Sequence, residues 1–114
     1  MKNIEKSLKA VSDIIRIRIL LLLLDREACV CELMSVLQMS QSKLSHHLII
    51  LRNTGLLSDD KRGKWNYYVL RPKSLDRFQR DLVFSLRRSF EAHEMIKRDR
   101  KTLVEVKQRM NICC

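Results

Sequence analysis

The 114 residues fit one domain, so residues 1–114 are treated as a single unit. With 23 basic and 13 acidic residues the chain carries a net charge of +10, which favours nucleic acid as partner over an acidic protein or an anionic membrane surface. An apolar fraction of 46% supports a packed core and excludes a compositionally disordered chain. The apolar run 19–24 is too short to cross a bilayer, so we expect a cytoplasmic protein without a membrane partner.

The chain contains four cysteines. Cys29 and Cys31 form a closely spaced pair, and Cys113 and Cys114 end the sequence. A reducing cytosol disfavours structural disulfides, so four thiols in so short a chain favour metal binding or redox sensing.

Apolar spacing predicts four helices in the first half of the chain. The first spans residues 3–12, the second runs from the cap at Ser12-Asp13 to about residue 24, the third spans 30–37 and the fourth 41–53. Asp13 and Ser40 are the predicted N-caps of the second and fourth helices. The third and fourth helices are short and separated by a tight turn, which is the pattern of a helix-turn-helix.

The pattern changes after Gly55. Residues 56–58 and 65–70 are rich in β-formers and predict a hairpin whose charged tip is 59–64. From 74 to about 110 nothing interrupts a helix, which would be about 55 Å long if straight and must bend or cross a partner subunit. The charged stretch 97–101 is the predicted weak point, and residues 74–112 are assigned to one or more dimerisation helices and a cysteine tail.

The hairpin completes a winged helix-turn-helix, a mainly α fold in which the fourth helix enters the major groove and the wing contacts phosphate or the minor groove. Leu44, Leu48 and Leu51 lie on the inward face of that helix, with His47 towards the core. The predicted DNA contacts are Gln41, Ser42, Lys43, Ser45 and His46 on the helix and Arg62 and Lys64 on the wing. The alternative is a solvated polar face without a ligand.

Four segments resemble the ArsR/SmtB family of transcriptional repressors over roughly residues 4–72. They are Ser7–Asp13 with Arg16–Leu20, the thiol motif Cys29–Leu33, residues 41–48 with 51–56, and the wing Gly63–Tyr68. The resemblance implies a homodimer, joined through its first and C-terminal helices, that binds an imperfect palindrome in double-stranded DNA. It also implies that the dimer represses its own operon and is released from DNA by a bound ion.

Within that family the Cys29–Cys31 motif is similar to the thiol site of arsenical-resistance and cadmium-responsive members. On a regular helix the two side chains point about 200° apart, so they chelate one ion only where the third helix is unwound at its start. Ion capture would then distort the helix that supports the recognition helix. Thiolates select thiophilic ions, so the expected inducer is arsenite or antimonite, with cadmium, lead or a thiol-redox signal as alternatives.

Two departures from the family pattern concern the ligands. The position where the family often adds a third cysteine is Met34, whose thioether is a poor arsenic ligand. Cys113 and Cys114 are candidates to complete the site, to form a second one, or to be incidental, and Cys29 and Cys31 themselves could be small buried apolar residues. The family's zinc site is expected to be absent because residues 72–90 contain no histidine.

An enzyme is not expected. A cysteine nucleophile needs a nearby base, and the three histidines of the chain are His46, His47 and His93, of which two lie on the predicted recognition helix. No glycine-rich phosphate loop is present, which also argues against an enzyme, and no organic cofactor is expected. A constitutive nucleic-acid-binding protein without an effector is the remaining alternative.

Overall fold

The computed structural model describes residues 2–109. Its helices are α1 (Lys2–Ala10), α2 (Ile14–Asp25), α3 (Val30–Leu37), α4 (Gln41–Asn53), α5 (Arg77–Phe90) and α6 (Glu94–Arg109). Its strands are β1 (Ala28–Cys29), β2 (Ser58–Arg62) and β3 (Trp65–Val69), and a 3-10 turn spans Pro72–Ser74.

Both predicted N-caps are confirmed. The Asp13 carboxylate accepts the Ile15 backbone N–H at 2.8 Å, and the Ser40 hydroxyl accepts the Lys43 N–H at 3.3 Å. Between α3 and α4, Gln38 adopts the left-handed conformation with φ 55°, which ends α3 and makes the tight turn of the helix-turn-helix.

The sheet contains a strand that the sequence reading missed. β1 pairs antiparallel with β3, with Ala28 opposite Tyr68 and Cys29 opposite Tyr67, so the strand order is β1-β3-β2. Two residues carry too little periodicity to be recognised as a strand. The pairing connects the start of α3 directly to the wing.

The predicted hairpin is confirmed, but its assigned tip is wrong. Residues 59–62 belong to β2, and the turn is confined to Gly63-Lys64, with Gly63 at φ 63°. The charged residues are held in the strand by cross-strand partners, among them Asn66, whose amide donates to Asp59 at 3.4 Å. Leu56 and Leu57 are buried core residues that precede the strand.

The C-terminal region bends, as its length required, but the predicted weak point is wrong. The break lies at residues 91–93, where His93 Nδ1 accepts the Met95 backbone N–H at 3.2 Å at the start of α6. Within the stretch 97–101, Asp99 is buried against Arg18 and Arg100 pairs with Asp25, so these charges anchor the helix instead of weakening it. An unbroken helix of about 55 Å would also exceed the largest dimension of the molecule, 42 Å.

The core lies where α2 meets the helix-turn-helix and the two C-terminal helices. It is built from fully buried aliphatic side chains, including Leu20, Leu22, Leu33, Leu44, Leu48 and Leu103. α2 is buried on all sides over residues 19–23, which explains the continuous apolar run in its sequence. The buried leucines thus pack the recognition helix α4 against the core, and its opposite face is exposed to solvent.

Candidate nucleic-acid interface and thiol site

The outward face of α4 is polar in its N-terminal half, as its periodicity predicted, whereas Ile49 further along the helix is 45% exposed. Gln41, Ser42, Lys43 and His46 are exposed and Ser45 is half-buried, whereas Leu44, Leu48 and Leu51 are fully buried. The exposed residues occupy the N-terminal half of α4, which is the part of a recognition helix that reaches base edges.

His47 is directed inward. Its Nδ1 lies 3.1 Å from Nη1 of Arg16, whose Nε donates to the Ala10 carbonyl at 2.7 Å. Burial lowers the pKa of His47 below its ordinary 6.5, and the neighbouring Arg16 lowers it further, while Asp13 acts in the opposite sense. A neutral imidazole can accept the arginine N–H, so His47 fixes the junction between α1, α2 and α4.

The depressed pKa predicts a loss of stability in acid. The unfolded chain takes up a proton at about pH 6.5 and the folded chain only below that, so the contribution of His47 is complete above pH 6.5 and is lost as the pH falls through the folded pKa. Urea unfolding of the wild type should show a lower midpoint at pH 5.5 than at pH 7.5. His47→Gln should reduce that difference, and the exposed His46→Gln should retain it; an equal effect of both variants would contradict the assignment.

The two predicted wing contacts are exposed but differ in their surroundings. Arg62 forms ion pairs with Glu27 and, at 3.0 Å, with Asp60, and its guanidinium lies 4.6 Å from the ring centre of Tyr67. Hydrogen bonds to Glu27 and Asp60 raise the pKa of Arg62. Lys64 sits at the turn over the Trp65 ring, with Nζ 5.3 Å from its centre. Arg62 must therefore exchange carboxylates for phosphate to contact DNA, whereas Lys64 need not.

A cleft of about 240 Å³ joins the thiol motif to both DNA-facing elements. Its lining combines residues of α3 and β1 with one residue of α4 and three of the wing: Cys29, Val30, Cys31, Met34, Gln41, Lys64, Trp65 and Asn66. The two cysteines therefore line the same cleft as Gln41 and Lys64.

The two cysteines of the motif differ in environment. Cys29 is 1% exposed, has extended backbone angles (φ −89°, ψ 168°) and is the N-cap of α3, whereas Cys31 lies inside the first turn and is half-buried. The required unwound start is therefore present, because Cys29 belongs to β1 and not to the helix. Cys29 is disulfide-bonded and Cys31 is a free thiol, so the bond does not join the pair to each other.

Cys113 and Cys114 lie outside the described residues. Among residues 2–109, no three His, Cys, Asp or Glu side chains converge into a group that could hold a metal ion. The described part of the thiol site thus contains two cysteine sulfurs, of which that of Cys29 is disulfide-bonded.

Sequence reasoning missed two residues next to the thiols. Glu32 is buried, and its Oε1 accepts the Cys29 backbone N–H at 3.0 Å and pairs with Lys107 Nζ at 2.9 Å. A glutamate three residues after an N-cap is the signature of a capping box, so Glu32 could have been recognised once Cys29 was taken as the cap. Lys107 had no comparable signal, since its contact spans 75 positions of sequence.

A helix-turn-helix with a buried leucine face, an exposed polar face and an adjacent β-wing defines the class: a winged helix-turn-helix DNA-binding regulator. The family model described as "Bacterial regulatory protein, arsR family" matches residues 13–59. The arsenical resistance operon repressor of Escherichia coli (strain K12) is 49% identical over 65 residues, which are 56% of this chain and 56% of that protein. The match to this relative therefore spans little more than half its length.

Two further relatives cover more of their own length. The arsenical resistance operon repressor of Bacillus subtilis (strain 168) is 35% identical over 77 residues, 67% of this chain and 73% of that protein. The structure of reduced HlyU from Vibrio cholerae N16961 superimposes with a TM-score of 0.68 at 35% identity, over 78% of this chain and 90% of that one. The chain belongs to the arsR family of bacterial regulatory proteins. No helix among the described residues is long and apolar enough to cross a membrane.

Proposed function

We propose that this protein is a cytoplasmic, homodimeric repressor of a metalloid-resistance operon that leaves its operator when trivalent arsenic or antimony binds its cysteine thiolates. The observation that carries the proposal is the cleft in which Cys29 and Cys31 adjoin Gln41 of α4 and Lys64 of the wing. Two of the relatives are named arsenical resistance operon repressors, which favours arsenic over cadmium or lead as the inducer.

The DNA contacts in this proposal are the α4 and wing residues that the sequence indicated. Gln41, Ser42, Ser45 and His46 would read base edges, and Lys43, Arg62 and Lys64 would contact phosphates. The exposure of α4 and the net charge of +10 support this assignment. Each half of a palindromic operator would be read by one subunit of a homodimer.

The dimer would use α1 and α6. Leu8 on α1 is 49% exposed and Val104 on α6 is 39% exposed, although both are large apolar side chains. Covering them with a second copy would remove apolar surface from water and place two recognition helices on one DNA duplex.

Release from DNA would follow from the position of Cys29. Although Cys29 is already extended, its side chain is buried and Cys31 lies inside the first turn of α3, so Cys29 would have to turn towards Cys31 for both sulfurs to bind one ion. Cys29 pairs with Tyr67 of β3, so the rearrangement also pulls on the wing strand that leads from Lys64. One event thus disturbs the support of α4 and the position of the wing together.

The tail cysteines would supply the third sulfur. Lys107 of α6 contacts Glu32, the residue after Cys31. Cys113 follows Lys107 by six residues, which span at most about 20 Å when extended. This length of chain would allow Cys113 and Cys114 to reach the Cys29–Cys31 pair, and three thiolates would satisfy the pyramidal preference of trivalent arsenic.

Replacing Lys43 by alanine tests the proposed DNA interface. Lys43→Ala should weaken binding to an operator selected with the wild type and reduce the slope of log K against log salt by about one, because one phosphate contact disappears. The exposed α6 residue Lys97→Ala removes the same charge and should leave the slope unchanged. Equal effects of the two variants would show that net charge alone, without a docked α4, accounts for binding.

A redox-responsive repressor is the second candidate, because Cys29 is disulfide-bonded. Capture of an ion requires the reduced thiol, so the two signals would act on the same sulfur. Fully reduced protein on its operator should be titrated with peroxide and, separately, with arsenite. Release by arsenite without peroxide favours the metalloid switch, and release by peroxide alone favours the redox switch.

A further inference from the structure

We propose that Glu32 is a positioning residue that couples ion capture at Cys29 and Cys31 to α6, through its ion pair with Lys107. The inference rests on the proposed thiol switch and extends it. The Glu32–Lys107 contact would couple a conformational change at the thiol motif to the C-terminal helix, in addition to the proposed effects on α4 and the wing.

Glu32 depends on both of its partners. Its side chain is 5% exposed, and the same oxygen, Oε1, accepts the Cys29 N–H and meets the Lys107 ammonium. A buried carboxylate without partners is strongly unfavourable. If Glu32 loses one of its two contacts, its charge is less well compensated and the side chain is favoured to move, which changes the second contact as well. The Cys29 N–H bond exists only while Cys29 remains the extended N-cap of α3.

Ion capture acts on that bond. If Cys29 turns so that its sulfur and that of Cys31 face one ion, its backbone N–H no longer points at Glu32. The carboxylate must then move to water or to another donor, and Lys107 loses or changes its partner. The effect is reciprocal, because a contact that favours the ion-free arrangement weakens ion binding by the same factor that the ion weakens the contact.

α6 is suited to receive the change. Eight residues before Lys107, Asp99 is fixed to Arg18 of α2 through two hydrogen bonds of 2.7 and 2.8 Å. The helix is therefore anchored in its middle and is held against the thiol motif near its C-terminal end. A shift at Lys107 would rotate the last turns of α6 about the Asp99 anchor, at the surface that carries Val104.

The test compares the response to arsenite and not the operator affinity alone. The ratio of operator Kd with and without saturating arsenite is measured for the reduced wild type, Lys107→Met, Glu32→Gln and the exposed α6 control Lys101→Met. We expect the ratio to fall about fivefold or more in Lys107→Met and Glu32→Gln, and no further in the double variant. Lys101→Met should keep the wild-type ratio, and Lys107→Arg should restore most of it.

A merely structural contact would change the urea midpoint and the arsenite-free Kd but leave the ratio unchanged, and that result would overturn the inference. Amide hydrogen exchange in residues 103–109 provides a readout independent of DNA, since arsenite should accelerate it in the wild type. If arsenite accelerates exchange but the operator is retained, the proposed function fails and the coupling stands. If the operator is released with unchanged exchange, the function stands and the coupling fails; if arsenite does not bind, both fail.

Discussion

Replacing Cys29 and Cys31 together by serine is expected to abolish release from the operator by arsenite. In the reduced wild type, arsenite should raise the operator Kd by about 10- to 100-fold, the usual range of coupling between two sites. The double variant should bind the operator as tightly as the ion-free wild type and show no response, because a hydroxyl is a poor ligand for a thiophilic ion. Fluorescence anisotropy of a labelled operator under reducing conditions measures both quantities.

Two matched variants define the ligand set. Met34→Leu keeps the volume of a residue that lines the same cleft and should respond as the wild type, because the thioether is not a ligand. Cys113→Ser/Cys114→Ser should shift the arsenite response to higher concentration if the tail provides the third sulfur. A full response in the Cys29→Ser/Cys31→Ser protein would locate the switch outside the cleft.

Removing the charge of Asp99 is expected to have the largest effect on stability. The Asp99 side chain is 5% exposed and that of Arg18 17%, and their two hydrogen bonds join α2 to α6. The hydrogen bonds to Asp99 raise the pKa of Arg18, so the guanidinium stays charged. Asp99→Leu would leave that charge in a largely buried place without its partner and should lower the free energy of unfolding by about 3 kcal/mol.

Two controls separate the ion pair from simple loss of a carboxylate. The exposed α5 residue Asp81→Asn should change the free energy of unfolding by no more than about 0.5 kcal/mol. The double variant Arg18→Met/Asp99→Leu removes both charges and should recover much of the loss, since two apolar side chains can replace a buried pair. Urea unfolding gives all three values, and a double variant no more stable than Asp99→Leu would refute the unpaired-charge explanation.

The thiol site shows which part of its geometry was accessible to sequence reasoning. Spacing alone required an unwound start of α3 for Cys29 and Cys31 to share an ion, and Cys29 is indeed extended. The cause was not accessible, because Cys29 is fixed there by pairing with Tyr67, 38 positions away along the chain. Hydrogen bonds between distant strands leave no periodic trace in a two-residue segment.

In the C-terminal half, too, the sequence predicted one feature of the geometry correctly and missed its location. The length of the helical segment required a bend, but a run of charges was mistaken for the weak point. A run of charges does not in itself weaken a helix, since lysine and arginine are good helix formers, and here Asp99 and Arg100 also have partners on α2. The break lies instead at residues 91–93, between the end of α5 and the start of α6, where His93 accepts the Met95 backbone N–H.

The sequence by itself determined the class of this protein, because caps, leucine spacing and charge are local properties that act along one helix at a time. Asp13, Ser40 and the buried leucines of α4 all lie where these rules require. Only the tertiary structure decided what surrounds the thiols: the cleft shared with Gln41 and Lys64, the β1–β3 pairing, and the Glu32–Lys107 ion pair. Each of these joins residues far apart in the chain, and such contacts are chosen by packing of the whole core and not by any local pattern.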